Sequence, residues 1–218
     1  MISTLSRRHF LRAGTIAAAA ALVPGSVTGA LANQFDPADP FPIEPTDLSK
    51  IDPEFHRQIV AFREAEWPGT IVVDTESRHL YLVLEGRRAI RYGVGVGREG
   101  FGWSGEAVVG RKKMWPRWTP PADMVARDPE AAKWADGMPG GPDNPLGARA
   151  LYLFAGGEDT LYRIHGTNQP WTIGKNMSSG CIRMLNEDIA DLYRRVPIGS
   201  RVLVYNGLRP SEMEVSAY

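Results

Sequence analysis

Residues 79–97 read HLYLVLEGRRAIRYGVGVG. Leu80, Leu82 and Leu84 fall at every second position, Glu85-Gly86 breaks the run, and Arg91, Tyr92, Val94 and Val96 carry a second segment. A period of two places alternate side chains on opposite faces of an extended strand, so this stretch predicts strand, turn and strand. The apolar TIVVD of 70–74 precedes it, and residues 70–97 read as a meander. Gly93, Gly95 and Gly97 also recur at every second position, and no helix pattern follows them. They are therefore not a phosphate-binding loop; glycine at alternate strand positions suits the close approach of another backbone.

The β pattern returns in ARALYLF (148–154), in TLYRIHG (160–166) after a Gly156-Gly157 turn, and in SRVLVYN (200–206). One helix is legible. Asn186 reads as its cap, Glu187 and Asp188 lie in its first turn, and Ile189, Leu192, Tyr193 and Val196 form one apolar face. Pro197 and Gly199 end it. Residues 98–148 read as irregular, with Trp, Pro and Gly throughout and one short helix within 124–135 restarting at Pro129. Trp115, Trp118 and Trp134 either pack these loops down or wall a groove for an extended substrate. Residues 54–67 admit a helical face or a short strand at Ile59, Val60 and Phe62; the immediate restart at WPGTIVVD favours the strand. The fold class is mainly β, a mixed or antiparallel domain with one short helix near its end.

The N-terminus sets the compartment. Ser6-Arg7-Arg8-His9-Phe10 is a twin-arginine pattern, an alanine-rich run spans 13–23, and Ala30-Leu31-Ala32 has the form of a cleavage site. That order describes an export signal over 1–32, with the protein directed to the periplasm or cell envelope. The run is shorter than the ~20 residues of a membrane span, so no stable span is expected after cleavage. Removing 1–32 leaves 22 basic and 25 acidic residues, a net −3. That balance, without a basic cluster interleaved with aromatics, gives no sign of nucleic-acid binding. Residues 33–54 hold five prolines and many acids, so 33–68 reads as an arm or linker, followed by a domain over 69–206 and a tail over 207–218.

Cys181 is the only cysteine, so no internal disulfide exists. A lone cysteine is either a small buried apolar group or, in an oxidising compartment, a thiol kept for its reactivity. His165 ends a strand, and Cys181 follows the Gly-rich loop GTNQPWTIGKNMSSG and precedes the helix. A thiol nucleophile needs a base within hydrogen-bond reach, and a histidinium neighbour lowers its pKa. Gly180 allows a tight turn, so the N–H groups of Gly180 and Cys181 are candidates to face a developing oxyanion. Arg183 is a candidate partner for a substrate carboxylate. His165 also fits a strand-end histidine satisfied by backbone. One Cys and one His are too few for a metal site.

The segment IHGTNQPWTIGKNMSSGCIRM resembles the active-site signature of the YkuD-type L,D-transpeptidases, as do PGTIVVD, YGVGVG, WTPPADM, GMPGGPDNPLGARALYL and VPIGSRVLVYN. The resemblance covers about 69–206 and implies a YkuD-like β-sandwich with a short helix after the cysteine loop. It implies Cys181 as nucleophile, His165 as base, the Gly166 carbonyl as the group orienting that base, and no cofactor. Ser178, Ser179, Trp171, Asn176 and Arg183 become substrate-binding candidates. The implied substrate is the peptidoglycan stem peptide. The acyl acceptor is a second stem, an envelope protein or, in a hydrolase, water; a non-catalytic wall-binding module is the remaining alternative. Ser179 stands where the family has a second histidine.

Overall fold

The computed structural model describes residues 39–63, 65–97, 103–178 and 180–206, all within one compact unit. The expected signal over 1–32 and tail over 207–218 lie outside the described residues. In chain order the elements are β1 (Gln58–Ala61), β2 (Ile71–Asp74), β3 (His79–Leu84), β4 (Arg88–Gly93), β5 (Val96–Gly97), β6 (Gly105–Met114), α1 (Ala122–Arg127), α2 (Pro129–Ala132), β7 (Arg149–Ala155), β8 (Glu158–His165), β9 (Asn176–Ser178), β10 (Ile182–Arg183), α3 (Asn186–Arg195) and β11 (Arg201–Tyr205). Nine strands form one sheet in the order β1-β4-β3-β2-β11-β6-β7-β8-β10, and β5 pairs with β9 beside it. The β11–β2 and β10–β8 pairs are parallel and the other pairs of the large sheet antiparallel. The fold is the mainly β, mixed architecture that the period-two segments call for.

Alternation decides what each face buries. Ile71, Val73, Leu80, Leu82, Tyr92, Val109, Leu151, Leu153, Ile164, Ile182, Val202 and Val204 enter one core with Ile189 and Leu192 of α3 and Val196 just after it. Each such side chain contributes roughly 1.5–3 kcal/mol on burial. On the opposite face of β2, β3 and β11, Val72, Val83 and Leu203 pack with Phe62 and Ala89 in a smaller cluster. On β6, β7 and β8 the face away from the main core carries Arg111, Lys113, Tyr152, Arg163 and His165 instead. Lys112 points the other way, and its Nζ donates to the carbonyls of Tyr193 and Val196 at 2.6 and 2.7 Å. It thereby satisfies acceptors at the end of α3 that the helix itself leaves open.

Three sequence expectations are corrected. Residues 98–148 are not irregular throughout: β6 is a ten-residue strand in the interior of the sheet. Its sequence GEAVVGRKKM hides it, because three consecutive cations follow Gly110 and the pairing register shifts between Val109 and Arg111. Asn186 does not cap α3; Leu185 precedes the helix without a side-chain cap, and Asn186 opens the first turn. The expected short helix within 124–135 is two, α1 and α2, with Asp128 Oδ1 capping the second.

The proline-rich arm lies on the domain. Asp39 accepts from Trp115 Nε1 at 2.9 Å and pairs with the buried Arg149, and Phe41 meets the Trp115 ring edge-on at 5.2 Å. Trp115 therefore packs the loop and arm together, while Trp134 stays partly exposed. Thr46 N–H and Oγ1 donate to Glu187 of α3. Ile51 and Phe55 form a small core with Ile173 and Leu185. Glycine is required around Phe55: a Cβ on Gly93 or Gly174 would come within 2.4 or 2.3 Å of it. Gly95 is equally constrained, its Cβ meeting the Thr172 carbonyl at 2.6 Å, so the alternate glycines admit other backbone and side chain. β1 then pairs with β4, as the strand reading of Ile59–Val60 favours.

Phe55 plugs the notch between β4 and the loop that leads to Cys181. Phe55→Ala is expected to destabilise the protein by about 3 kcal/mol, measured by urea unfolding. A loss below about 1 kcal/mol would show that the arm adds nothing to the fold.

Candidate active site

β8 and β10 build the site by register. Arg183 lies opposite His165 and Ile182 opposite Ile164 in a parallel pair. Ile164 and Ile182 both point into the core, so His165, Arg183 and Cys181 lie on the other side. Antiparallel pairing extends this row across the sheet, with Ala150 opposite His165 and Lys113 opposite Ala150. The next row holds Arg111, Tyr152 and Arg163.

His165 is buried, and its Nδ1 lies 2.6 Å from the Gly166 carbonyl. A carbonyl only accepts, so Nδ1 carries the proton and Nε2 of the neutral ring is left as the basic atom. Gly166 cannot be replaced easily: a Cβ there would lie 2.2 Å from Asn186 Oδ1. That oxygen accepts from Ala148 N–H at 3.0 Å and Thr167 N–H at 3.2 Å. One side-chain amide thus ties the segment after His165 to the start of β7. Leaving those two amides without an acceptor would cost about 1–3 kcal/mol each. The position of Asn186 ahead of Glu187 and Asp188 reads as a cap, which is why its tertiary role was not seen in sequence.

The cysteine turn is held by Ser178. Its Oγ donates to the Cys181 carbonyl at 2.6 Å and accepts from Gly180 N–H at 3.1 Å. Gly180 has φ 124°, a conformation natural to glycine. The Gly180 N–H expected to face an oxyanion is therefore engaged by Ser178, and the Ser178 hydroxyl expected on substrate is spent on the turn. Cys181 N–H remains the loop's candidate oxyanion donor. Ser179 lies outside the described residues.

The two candidate groups are both held neutral. Burial pushes the His165 imidazole down to about 4; the Gly166 carbonyl opposes this and the Arg183 and Arg163 charges add to it. Cys181 keeps part of its surface exposed, yet enclosure of the thiol pushes it above its ordinary value. The Arg163 backbone N–H, the Arg163 charge and the Arg183 charge oppose that shift without overcoming it. The sequence expectation of a thiol lowered by a histidinium is thus corrected: desolvation disfavours both charged forms.

Of the remaining candidates, Arg183 Nη1 reaches Gln169 Oε1 at 3.4 Å, and its backbone is bound on both sides by Gly95 at 2.8 and 2.9 Å. Trp171 is exposed on the single turn Pro170–Thr172, and Asn176 is exposed in β9, where it pairs with Val96. Both sit on the loop between His165 and Cys181. Among the described residues no three His, Cys, Asp or Glu side chains gather in a way that could hold a metal ion.

The family model YkuD, the L,D-transpeptidase catalytic domain, matches residues 68–204, more than half of the chain. The chain belongs to the YkuD family. The probable L,D-transpeptidase YbiS of Escherichia coli (strain K12) is 40% identical over 138 residues, 61% of this chain and 43% of YbiS. The probable L,D-transpeptidase ErfK/SrfK of Salmonella typhimurium is 36% identical over 151 residues, 66% of this chain and 46% of that protein. The chain thus spans less than half the length of these curated relatives. A crystal structure from Brucella melitensis, described as a probable carnitine operon oxidoreductase, is 51% identical, covering 73% of this chain and 99% of that one, with a TM-score of 0.49.

Within this YkuD domain the electrostatics make a test of their own. A thiol raised above its ordinary value forms thiolate only above pH ~8.5, and an imidazole near 4 is neutral at every pH above that. Alkylation of Cys181 by iodoacetamide is therefore expected to be slow at neutral pH and to rise about tenfold per pH unit through pH ~8, with no plateau below that. A reactive plateau between pH ~4 and ~7, the mark of a thiolate–imidazolium pair, would show that the resting site is charged.

Proposed function

We propose that the protein is a cysteine-dependent L,D-transpeptidase acting on peptidoglycan stem peptides. The observation that supports the reading is the parallel pairing of β10 with β8, which brings the segment that follows Cys181 against the strand ending in His165, a neutral imidazole whose Nδ1 proton is committed to Gly166. A neutral imidazole with a free Nε2 is the right form to take a thiol proton during attack. In the first half-reaction the sulfur bonds to the carbonyl carbon and the thiol proton passes to Nε2. The tetrahedral oxyanion faces the Cys181 N–H. The C–N bond then breaks, D-alanine leaves with the proton from Nε2, and a thioester remains. In the second half-reaction an amine attacks the thioester, gives its proton to Nε2, and the thiol is regenerated.

An amine from a second stem gives a 3-3 cross-link, and an amine of an envelope protein tethers that protein to the wall. Both require export, which the twin-arginine segment over 1–32 would provide, placing the catalytic domain over 69–206 in the periplasm or envelope. The arm over 33–68 belongs with the catalytic unit, because Phe55 and Ile51 support the loop that carries Ile173.

Incubation with a tetrapeptide ending in D-alanine, followed by intact mass, is expected to detect the acyl-enzyme. Cys181→Ala should form none while keeping its circular dichroism, and His165→Gln should acylate roughly 10²–10⁴ times more slowly. Unimpaired turnover by Cys181→Ala would remove the mechanism. Product masses separate transfer from hydrolysis, since water as acceptor leaves a tripeptide acid alone.

Ser179 is assigned a supporting role, with His165 as the sole base. Ser179→Ala then deletes one neutral hydrogen bond of about 1 kcal/mol, less than tenfold in acylation rate. A loss as deep as that of His165→Gln would reassign the base.

A further inference from the structure

The row Arg111–Tyr152–Arg163 runs sideways from Cys181 and has no part in the acyl transfer just described. Arg111 and Arg163, on the strands flanking β7, both stack on the Tyr152 ring, at 4.0 and 4.4 Å from its centroid. Two irregularities create this row. On β6 the register shifts at Gly110, where a Cβ would meet the Phe154 ring at 2.3 Å. Continued without a shift from the Val109–Leu153 pair, β6 would set Arg111 opposite Leu151 and aim it into the core. The extra residue inverts the faces, so Arg111 and Lys113 point outward. On β8 the register shifts again: Tyr152 faces Arg163, but Phe154, two residues on, faces Asp159, four residues back. Leu161 within that bulge sits at φ 64° and is 76% exposed, an unfavourable conformation and an unfavourable exposure for leucine.

What the second bulge achieves is the placement of Asp159. Its two oxygens accept from Arg163 Nη1 and Nη2 at 2.7 and 2.9 Å. Burial raises the Asp159 carboxyl, but the bonds from Arg163 and Leu161 N–H and the charges of Arg163 and Arg111 outweigh it and leave it below its ordinary value. Arg163 is thus fixed and answered by a carboxylate. Arg111 stacks on the other flank of the row, is exposed, and enters no ion pair with a described carboxylate. Lys113, exposed and two residues further along the same face, adds a second outward cation. In a chain whose part beyond residue 32 is mildly acidic, this floor beside the thiol is cationic.

We propose that Arg111, aligned by Tyr152 and backed by Lys113, is a subsite for a carboxylate of the acyl-donor peptide, lying upstream of the scissile carbonyl. Arg111 stands three strand spacings from the β10 segment that carries the thiol, roughly 14 Å, and its guanidinium lies over Tyr152 of β7, which leaves a gap of roughly 10 Å. That is about three residues of extended peptide, too far for the leaving D-alanine and right for an acidic group two or three residues before the cleaved bond. A planar guanidinium held on an aromatic ring is pre-organised for bidentate carboxylate binding. The inference rests on the peptide-acyl-transfer reading for its ligand.

The test uses synthetic tetrapeptides ending in D-alanine, with the upstream carboxylate free or amidated and the terminal carboxylate free or amidated. Acylation of the full-length protein is followed by mass spectrometry. Arg111→Gln is expected to raise KM about tenfold for donors with the upstream acid, within twofold in the saturating rate. Arg111→Lys should restore part of that affinity. The upstream amide should make wild type and Arg111→Gln alike, whereas the terminal amide should leave the Arg111 effect in place. An equal loss for all donors, no loss, or an effect abolished by the terminal amide would each overturn the assignment. A binding titration of the same peptides to Cys181→Ala separates the two readings. Arg111-dependent affinity for the upstream acid without any acylation by wild type would leave the subsite standing and sink the transpeptidase reading. Turnover indifferent to Arg111 would sink the subsite alone.

Discussion

Two backbone pairs, Ile182 with Ile164 and Arg183 with His165, hold the cysteine segment against β8. A parallel pair needs a crossover connection, and here the connection is the loop from Gly166 to Gly180 rather than a long helix. Ordering such a loop costs roughly 1–2 kcal/mol per residue in backbone entropy alone, far more than a two-residue ladder returns. The surrounding structure supplies the difference. Gly95 bonds Arg183 on both sides, Gly174 N–H donates to Val94 at 3.0 Å, Val96 N–H to Lys175 at 3.0 Å, and Met184 N–H to His165 at 2.8 Å. Ile173 is buried against Phe55 from the arm. Asn186 holds Thr167 at the loop's first turn. The glycines at 93, 95, 166 and 174 let these groups come close enough to do so.

The same enclosure decides the charge state of the site. Both histidine and cysteine lose solvent when the loop closes on β8, and each loss favours the neutral form. Arg163 and Arg183 act unequally on the pair: they disfavour a histidinium and favour a thiolate. Their effect on sulfur does not overcome its burial. A resting thiol of this kind is less open to oxidation than a thiolate, which suits the exported setting proposed for the protein. In the mechanism proposed above, activation then waits until His165 takes the proton.

The strands whose alternation runs uninterrupted were legible: β3, β4, β7 and β11 stand where period two places them, because each buries one face in a continuous core. The Cys181 and His165 candidates stood out through residue type and neighbouring glycines. β6 was not legible, because period two fails across Gly110: Ala107 and Val109 are inward before the bulge, and Lys112 is inward after it. A reader following alternation sees the pattern dissolve into Arg111-Lys112-Lys113. Asn186 was misread for a related reason, since a local capping signal is identical in sequence to a side chain that turns away to bond Ala148 and Thr167. Ser178 and Gly180 bond one another, and no spacing rule distinguishes that from two groups waiting for substrate.

The bulge at Gly110 also decides which way the cations of β6 face. Lys112 serves α3 on one side of the sheet while Arg111 and Lys113 face the other, and only an inserted residue lets a strand with buried Val109 present cations outward after it. Arg111 spends its side chain on the Tyr152 ring rather than on the core, and Leu161 in the companion bulge is exposed at a conformation unfavourable to it. Local strain of this kind persists where the surrounding structure fixes it, and it gathers at functional sites. Here the two bulges flank Tyr152, and the row they produce abuts the strand that ends in His165. The two register shifts therefore turn the Arg111 and Arg163 charges onto the outer face of the sheet, where the proposed subsite lies.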